Sequence, residues 1–135
     1  VKIYIAAPWA DKDKMPEIAS KFDKHEITHR WWDVDSKDGY DAPHAKLAKQ
    51  AIDDVTGVSD ADLVVLINSA KSEGKAFEQG VAVTLNKPIV AVGKLGEHSL
   101  NVFHYLPSYR WVDSVEDAVK VLDTIQWLVN NASRS

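Results

Sequence analysis

With 135 residues, 45% of them apolar and 27% charged, the chain is sized for one compact core, which excludes wholesale disorder and leaves little room for a second domain. It has no cysteine, so disulfide frameworks, thiolate metal sites and a cysteine nucleophile are ruled out, and the composition suits a reducing, cytoplasmic setting. A formal charge of −4 with no Lys/Arg-rich stripe gives no general attraction for DNA or RNA polymers, whereas free nucleosides and nucleotides are not excluded.

Val1 to Ala7 is a short apolar run of strand length, too brief for a signal peptide or a membrane span. A helix is expected near 14–24 and a second strand near 27–32. Between His44 and Ser59, the residues Leu47, Ala48, Ala51, Ile52, Val55 and Val58 recur at helical spacing, giving an amphipathic helix whose polar face carries Asp53 and Asp54. The runs Leu63-Val-Val-Leu-Ile67 and Ile89-Val-Ala-Val92 are almost wholly apolar and β-branched, as expected of strands covered on both faces of a parallel sheet. A helix near 76–86 separates them, and Gly80 and Ala82 would let it lie close to the sheet. A fifth strand is expected near 109–112. The last helix, near 114–130, opens on Ser114-Val-Glu-Asp117, a Ser-x-x-acid cap, and continues through Val115, Ala118, Val119, Leu122, Ile125 and Val129. Residues 131–135 read as a polar tail on a domain spanning 1–130.

Strands alternating with helices imply right-handed βαβ crossovers. The expected fold is α/β: one doubly wound, five-stranded parallel sheet in a flavodoxin- or Rossmann-like three-layer sandwich. Such sheets bind ligands beyond the carboxyl ends of their strands, where the strand order reverses. The loops after residues 7, 32, 68 and 92 are therefore the candidate surface.

Several familiar sites are missing. After strand one the chain has Ala6-Ala-Pro-Trp-Ala-Asp11 where a dinucleotide fold needs Gly-x-Gly-x-x-Gly, so NAD and FAD are not expected. Gly74-Lys75-Ala76 mimics the end of a phosphate loop but lacks its first glycine and its Mg²⁺-binding Ser/Thr. A phospho-receiver domain needs acidic residues after strand one and an Asp ending strand three, where Ala6-Ala7-Pro8 and Asn68 stand. His25, His29, His44, His98 and His104 show no His-x-x-x-His pairing, so no metal is expected.

The segment Ser69-Ala-Lys-Ser-Glu-Gly-Lys75 joins a buried strand to the helix carrying Glu78, which is expected in the first turn, where the helix dipole favours an ionised carboxylate. Such a carboxylate is either a nucleophile toward an electrophilic sugar carbon or a residue that merely complements the dipole. Trp9, Trp31 and Trp32 are either core or a stacking surface for a base, with Trp9 placed nearest the base. Arg30 either pairs with a surface carboxylate or reaches a substrate oxygen.

Seven strings, in order across nearly the whole chain, narrow the choice: Lys2-Ile-Tyr-Ile-Ala-Ala-Pro-Trp9, Ile27-Thr-His-Arg-Trp-Trp32, Asp54, Ala61-Asp-Leu-Val-Val-Leu66, Gly74-Lys-Ala-Phe-Glu-Gln-Gly-Val-Ala82, Lys87-Pro-Ile-Val90 and Asn101-Val-Phe-His-Tyr-Leu-Pro107. Together the chain resembles the nucleoside 2-deoxyribosyltransferase superfamily, its small single-domain members most. The resemblance implies that Glu78 of Glu-x-Gly-x-Ala is the nucleophile, that the Tyr4 hydroxyl orients it, and that Asp54 manages the proton of the base. It also has Asn101 lent by a neighbouring subunit to the 5′ end of the sugar, which implies a homodimer or larger homo-oligomer, and Ala7, Trp9, Ser72 and Gly74 are expected along the substrate, with Arg30 a candidate whose two roles stay open.

One departure bears on the reaction. Six residues before the nucleophile the transferases carry Asp, whereas this chain has Ser72, as do relatives that hydrolyse nucleoside 5′-monophosphates and use the serine on phosphate. Against that, no arginine stands in Ala7-Pro-Trp-Ala-Asp11 where those hydrolases bind phosphate, and Asn101 replaces their serine; Lys12, Lys14, Lys71 and Lys75 are the available phosphate partners. The expected activity is cofactor-free double displacement on a 2′-deoxynucleoside, with transfer to a free nucleobase ranked ahead of hydrolysis. An inactive nucleotide-binding module is the third reading.

Overall fold

The computed structural model describes residues 1–33, 43–98 and 101–132. Its five strands are β1 (Lys2–Ala6), β2 (Glu26–Ile27), β3 (Leu63–Ile67), β4 (Ile89–Val92) and β5 (Tyr109–Val112). The helices are α1 (Met15–Ser20), α2 (His44–Asp60), α3 (Glu73–Thr84) and α4 (Val115–Asn131). All strands pair in parallel, in the order β2-β1-β3-β4-β5. This is the doubly wound α/β sheet expected from the alternation of elements, and the strand order reverses between β1 and β3.

β3 is buried at every residue and β1 at all but its first, because both faces of the central strands are covered. α2 and α3 pack against each other and reach β1 and β3. α4 packs on β4 and β5, and Lys21 after α1 meets Glu116 of α4 at 2.7 Å. Ile3, Ile5, Phe22, Met15, Leu66, Ile89 and Leu122 are fully buried around the sheet. Ser114 caps α4 by accepting from Asp117 N at 3.1 Å, the cap expected from the Ser-x-x-acid signature. Among the described residues no helix is long and apolar enough to cross a membrane.

Several boundaries differ from expectation. The second strand is only Glu26–Ile27, and Trp31–Asp33 form a 3-10 turn, because β2 is an edge strand paired on one side alone and the Trp31 indole turns inward to donate to Ile5 O at 2.7 Å. α3 begins at Glu73 rather than near 76. α4 runs to Asn131, into the expected tail, of which residues 133–135 lie outside the described residues. Gly80 does not bring α3 near the sheet, since a Cβ there would meet nothing within 4 Å. The close-approach glycine is Gly57 of α2, where a Cβ would lie 2.8 Å from His29 Cβ and 2.9 Å from Tyr4 Cδ2.

Candidate active site

α3 is a wall between two cavities. Gly74, Phe77, Glu78 and Val81, at helical spacing, face a cavity of about 500 Å³. Glu73, Ala76, Gly80 and Val83 face another of about 750 Å³. Between these stripes, Lys75, Gln79 and Ala82 are buried, so one helix presents three faces by its 3.6-residue period.

The first cavity lies where the strand order reverses. Ala7, Trp9 and Trp31 come from the loops after β1 and β2, Ser72 and Gly74 from the start of α3, and Asp54 from α2. Of the four loops chosen from the sequence, those following β1, β2 and β3 meet here, whereas the one after β4 lines the second cavity instead. Trp9 is 42% exposed, its ring 6.1 Å from that of Trp31 and 5.7 Å from the Lys12 ammonium. Ile52, Val55 and Phe77 complete an apolar rim, and Ile52 and Phe77 are each 64% exposed.

The Tyr4 hydroxyl donates to Glu78 Oε2. Tyr4 is fully buried in β1, so this bond fixes the carboxyl from the sheet side. Burial pushes the Glu78 carboxyl up to about 8, the Tyr4 hydrogen bond opposes that rise, and the nearby Asp54 charge adds to it. Burial above all, then the charges of Glu78 and Asp54, hold the Tyr4 hydroxyl far above the ordinary phenol range, so it stays a donor. The Asp54 carboxyl is also raised, mainly by burial, with His29 pulling it down and Asp53 pushing it up. Two raised carboxyls across one cavity form a pair in which one can hold a proton while the other ionises.

These observations correct the dipole reading of Glu78. It is the sixth residue of α3, beyond the first turn, because Ser72 rather than a later residue caps the helix by accepting from Lys75 N at 3.2 Å. Desolvation therefore dominates, and it favours the neutral acid.

Arg30 does not line the cavity. Its guanidinium pairs with Asp33 at 3.3 Å and lies 5.1 Å from the Trp32 ring centroid, which is the surface-pair alternative. Trp32 is buried and likewise outside the lining. Asn101 is set apart from Glu78, in the second cavity, where its side chain accepts from Phe103 N at 2.9 Å. Beside it Val102, Phe103 and Tyr105 are 77%, 64% and 62% exposed; Leu100, grouped with them in the sequence, lies outside the described residues. Of the four candidate lysines, Lys75 is buried, donating to Asn68 Oδ1 at 2.9 Å and to Ala70 O, and it alone lines both cavities. Among the described residues no three His, Asp or Glu gather as a metal site would require.

Residues that the sequence did not single out hold the second cavity. Gln79 Nε2 donates to Lys75 O at 3.1 Å, while Gln79 Oε1 accepts from the Tyr109 hydroxyl at 2.7 Å and lies 3.1 Å from His104 Nε2. No single-residue signal marks this group, because it joins α3, the turn Val102–Tyr105 and β5.

The fold has counterparts among solved structures. A CMP N-glycosidase, BcmB, of Clostridium botulinum matches with a TM-score of 0.55 and 16% identity over 92% of this chain and 99% of its own. A 2-deoxyribosyltransferase of Bacillus psychrosaccharolyticus matches at 0.64 and 18% over 88% and 90%. A conserved protein of Enterococcus faecalis V583 matches at 0.62 and 18% over 89% and 95%. At such identities the shared property is the fold. No curated protein matches the chain. The family model for nucleoside 2-deoxyribosyltransferase does match it, over residues 3–109, a span that runs from the strand carrying Tyr4 through the helix carrying Glu78 to the last strand of the sheet. The chain thus belongs to the nucleoside 2-deoxyribosyltransferase family.

Proposed function

We propose that the protein cleaves the N-glycosidic bond of 2′-deoxynucleosides and transfers the deoxyribosyl group to another nucleobase. The observation that carries this reading is the buried Tyr4 hydroxyl bonded to Glu78 in a cavity shared with Asp54. Glu78, neutral in the empty site, passes its proton to Asp54; ionised Glu78 then attacks C1′, the C1′–N bond breaks, and Asp54 gives that proton to the departing base. An acceptor base then attacks C1′ of the ester and releases Glu78. The base stacks by Trp9, with Ala7 and Gly74 leaving room for the substrate beside them. The apolar rim limits water while the ester waits. We also place Asn101 at a neighbouring subunit's site in a cytoplasmic homo-oligomer, a reading supported by the exposed apolar side chains beside it.

The test is incubation with each deoxynucleoside, with and without a free acceptor base, and chromatography of the products. Base exchange that requires Glu78 supports transfer; release of free deoxyribose at the same rate with and without acceptor replaces transfer by hydrolysis.

Hydrolysis of 2′-deoxynucleoside 5′-monophosphates is the second reading, favoured by Ser72 and Lys75. The Ser72 hydroxyl accepts at the cap of α3, which leaves its own hydrogen free to donate to phosphate. Lys75 supplies a cation at the junction of the cavities. Under this reading Ser72→Ala weakens turnover of the monophosphate about tenfold or more beyond that of the nucleoside, as for one hydrogen bond to a charged group. Equal effects on both substrates favour transfer.

A further inference from the structure

The strand order reverses between β1 and β3, and the crevice of the first cavity opens between the loops that follow them. Trp9 stands on the first loop and Ser72 on the second, and both line the cavity. Two residues after Trp9, Asp11 is buried within the 3-10 turn Trp9–Lys14. Three residues before Ser72, the Ser69 hydroxyl donates to Asp11 Oδ2. That bond crosses from one side of the crevice to the other. Neither Asp11 nor Ser69 lines the cavity, so they can influence a substrate only through the residues they hold in place.

A buried carboxylate needs a counter-charge. Lys14 lies 3.8 Å from Asp11 Oδ1, but its side chain is largely exposed and its charge is screened by water. The interior cation is Lys75: burial pushes its ammonium down, and the Asp11 charge opposes the fall. Lys75 donates to Ala70 O and to Asn68 Oδ1 at 2.9 Å, and Asn68 Nδ2 donates to Glu97 O at 3.1 Å. The ammonium thus ties the start of α3 to the loop after β3, and Asn68 extends the tie to the loop after β4. On the β1 side, Asp11 N donates to Pro8 O at 2.9 Å and closes the turn that carries Trp9. The segment leading to Ser72 is therefore held at Asn68, Ser69 and Ala70 in succession, and one of those three bonds reaches across to Trp9's turn.

We infer that Asp11 is a positioning residue for the glycosidic reaction proposed above, on which the inference rests: its bond to Ser69, backed by buried Lys75, fixes the span between Trp9 on the base side and Ser72 on the 5′ side of the sugar. A nucleoside that engages both ends is held with C1′ before Glu78. Binding at the 5′ end, remote from C1′, is thereby converted into turnover. A substrate without the 5′-hydroxyl is free to shift along the cavity, so the fixed span makes that hydroxyl a specificity element.

The experiment compares the wild type, Glu78→Ala, Asp11→Asn, Asp11→Ala, Ser69→Ala and the Asp11→Ala/Ser69→Ala double variant, each with a thermal melt. The substrates are a 2′-deoxynucleoside and its 2′,5′-dideoxy analogue, which lacks the 5′-hydroxyl. In the wild type the hydroxyl raises kcat/KM about tenfold to a hundredfold, the range set by orientation of a reacting centre. In Asp11→Ala and Ser69→Ala that factor shrinks to about twofold, because the deoxynucleoside slows while the analogue hardly changes. Asp11→Asn keeps most of the factor, since its amide oxygen still accepts from Ser69. The double variant is no worse than either single one. Ser69→Ala leaves both buried charges in place, so it tests the bond even where Asp11→Ala, which strands the Lys75 charge, fails to fold. Equal losses on both substrates, an unchanged factor in Ser69→Ala, additive losses in the double variant, or a wild type indifferent to the 5′-hydroxyl overturn the role of Asp11. If Glu78→Ala is as active as the wild type, or the wild type turns over neither substrate, the glycosidic reading itself fails and takes this role with it.

Discussion

Glu78 and Gln79 are adjacent on α3, each bonded to a tyrosine, and they face different cavities. Gln79 is neutral, and its amide has partners on both ends: Lys75 O, the Tyr109 hydroxyl and His104. Glu78 is a carboxyl in a similarly dry place, with one hydrogen bond from Tyr4 and a second carboxyl across the cavity. A satisfied neutral amide lowers the folding free energy and joins three elements. A desolvated carboxyl with one partner opposes folding when it ionises, and such unsatisfied positions collect at functional sites.

The sharpest way to break the comparison is to delete each side chain in turn. Glu78→Ala should lose at least about three orders of magnitude in kcat/KM, roughly 4 kcal/mol, with an unchanged circular dichroism spectrum. Gln79→Ala should keep most of its activity but unfold more easily by about 1–3 kcal/mol, since the Tyr109 hydroxyl and His104 lose their acceptor. A Gln79→Ala enzyme as dead as Glu78→Ala would end the distinction.

A second contrast is in stability against pH. Burial pushes the folded-state carboxyl of Glu78 up to about 8, from about 4.5 for an ordinary glutamate. The stability that comes with the proton is complete below about 4.5 and is lost as pH rises through about 8. Glu78→Gln does not titrate, so its advantage in unfolding free energy over the wild type should grow between pH 5 and pH 9, reaching on the order of a few kcal/mol, as read by denaturant unfolding at each pH. A difference independent of pH would show that Glu78 is not desolvated. Gln79→Asn, on the other side of the helix, should show no such trend.

The smallest expected effect separates the two tyrosines. Tyr4→Phe removes the hydrogen bond that lowers Glu78, so the acid limb of kcat/KM moves further up and turnover at pH 7 drops about tenfold or more. Tyr109→Phe should cost only about 1 kcal/mol of stability and leave the pH profile in place. Identical profiles for the two variants would remove Tyr4 from control of the carboxyl.

The sequence by itself determined the layers. β3 and β4 are readable because a strand covered on both faces must be apolar throughout, and α4 because Ser114 and the acid three residues later satisfy the free N–H groups of a helix start. It also located Tyr4, Asp54, Glu78, Ser72 and Trp9, through strings whose order carries the family resemblance, and these five do meet around one cavity, four in its lining and Tyr4 behind Glu78. What it misjudged were local competitions. Ser72 caps α3 a turn earlier than the apolar pattern starts, and Trp31–Asp33 turn where a longer second strand is expected; for Arg30, left open between a substrate and a surface carboxylate, the pair with Asp33 is the one formed.

Only the tertiary structure decided which neighbours set the chemistry. The 3.6-residue period of α3 separates Glu78 from Gln79, but nothing local says which face is dry. Gly57 looks like a weak point within a helix until Tyr4 and His29 are seen against it, and His29 becomes the neighbour of Asp54 only when the end of β2 is laid beside α2. The physical reason is that burial and charge–charge proximity are properties of space rather than of chain order. A carboxyl near 8 is made by what surrounds it, and its surroundings come from β1, α2 and α3 together.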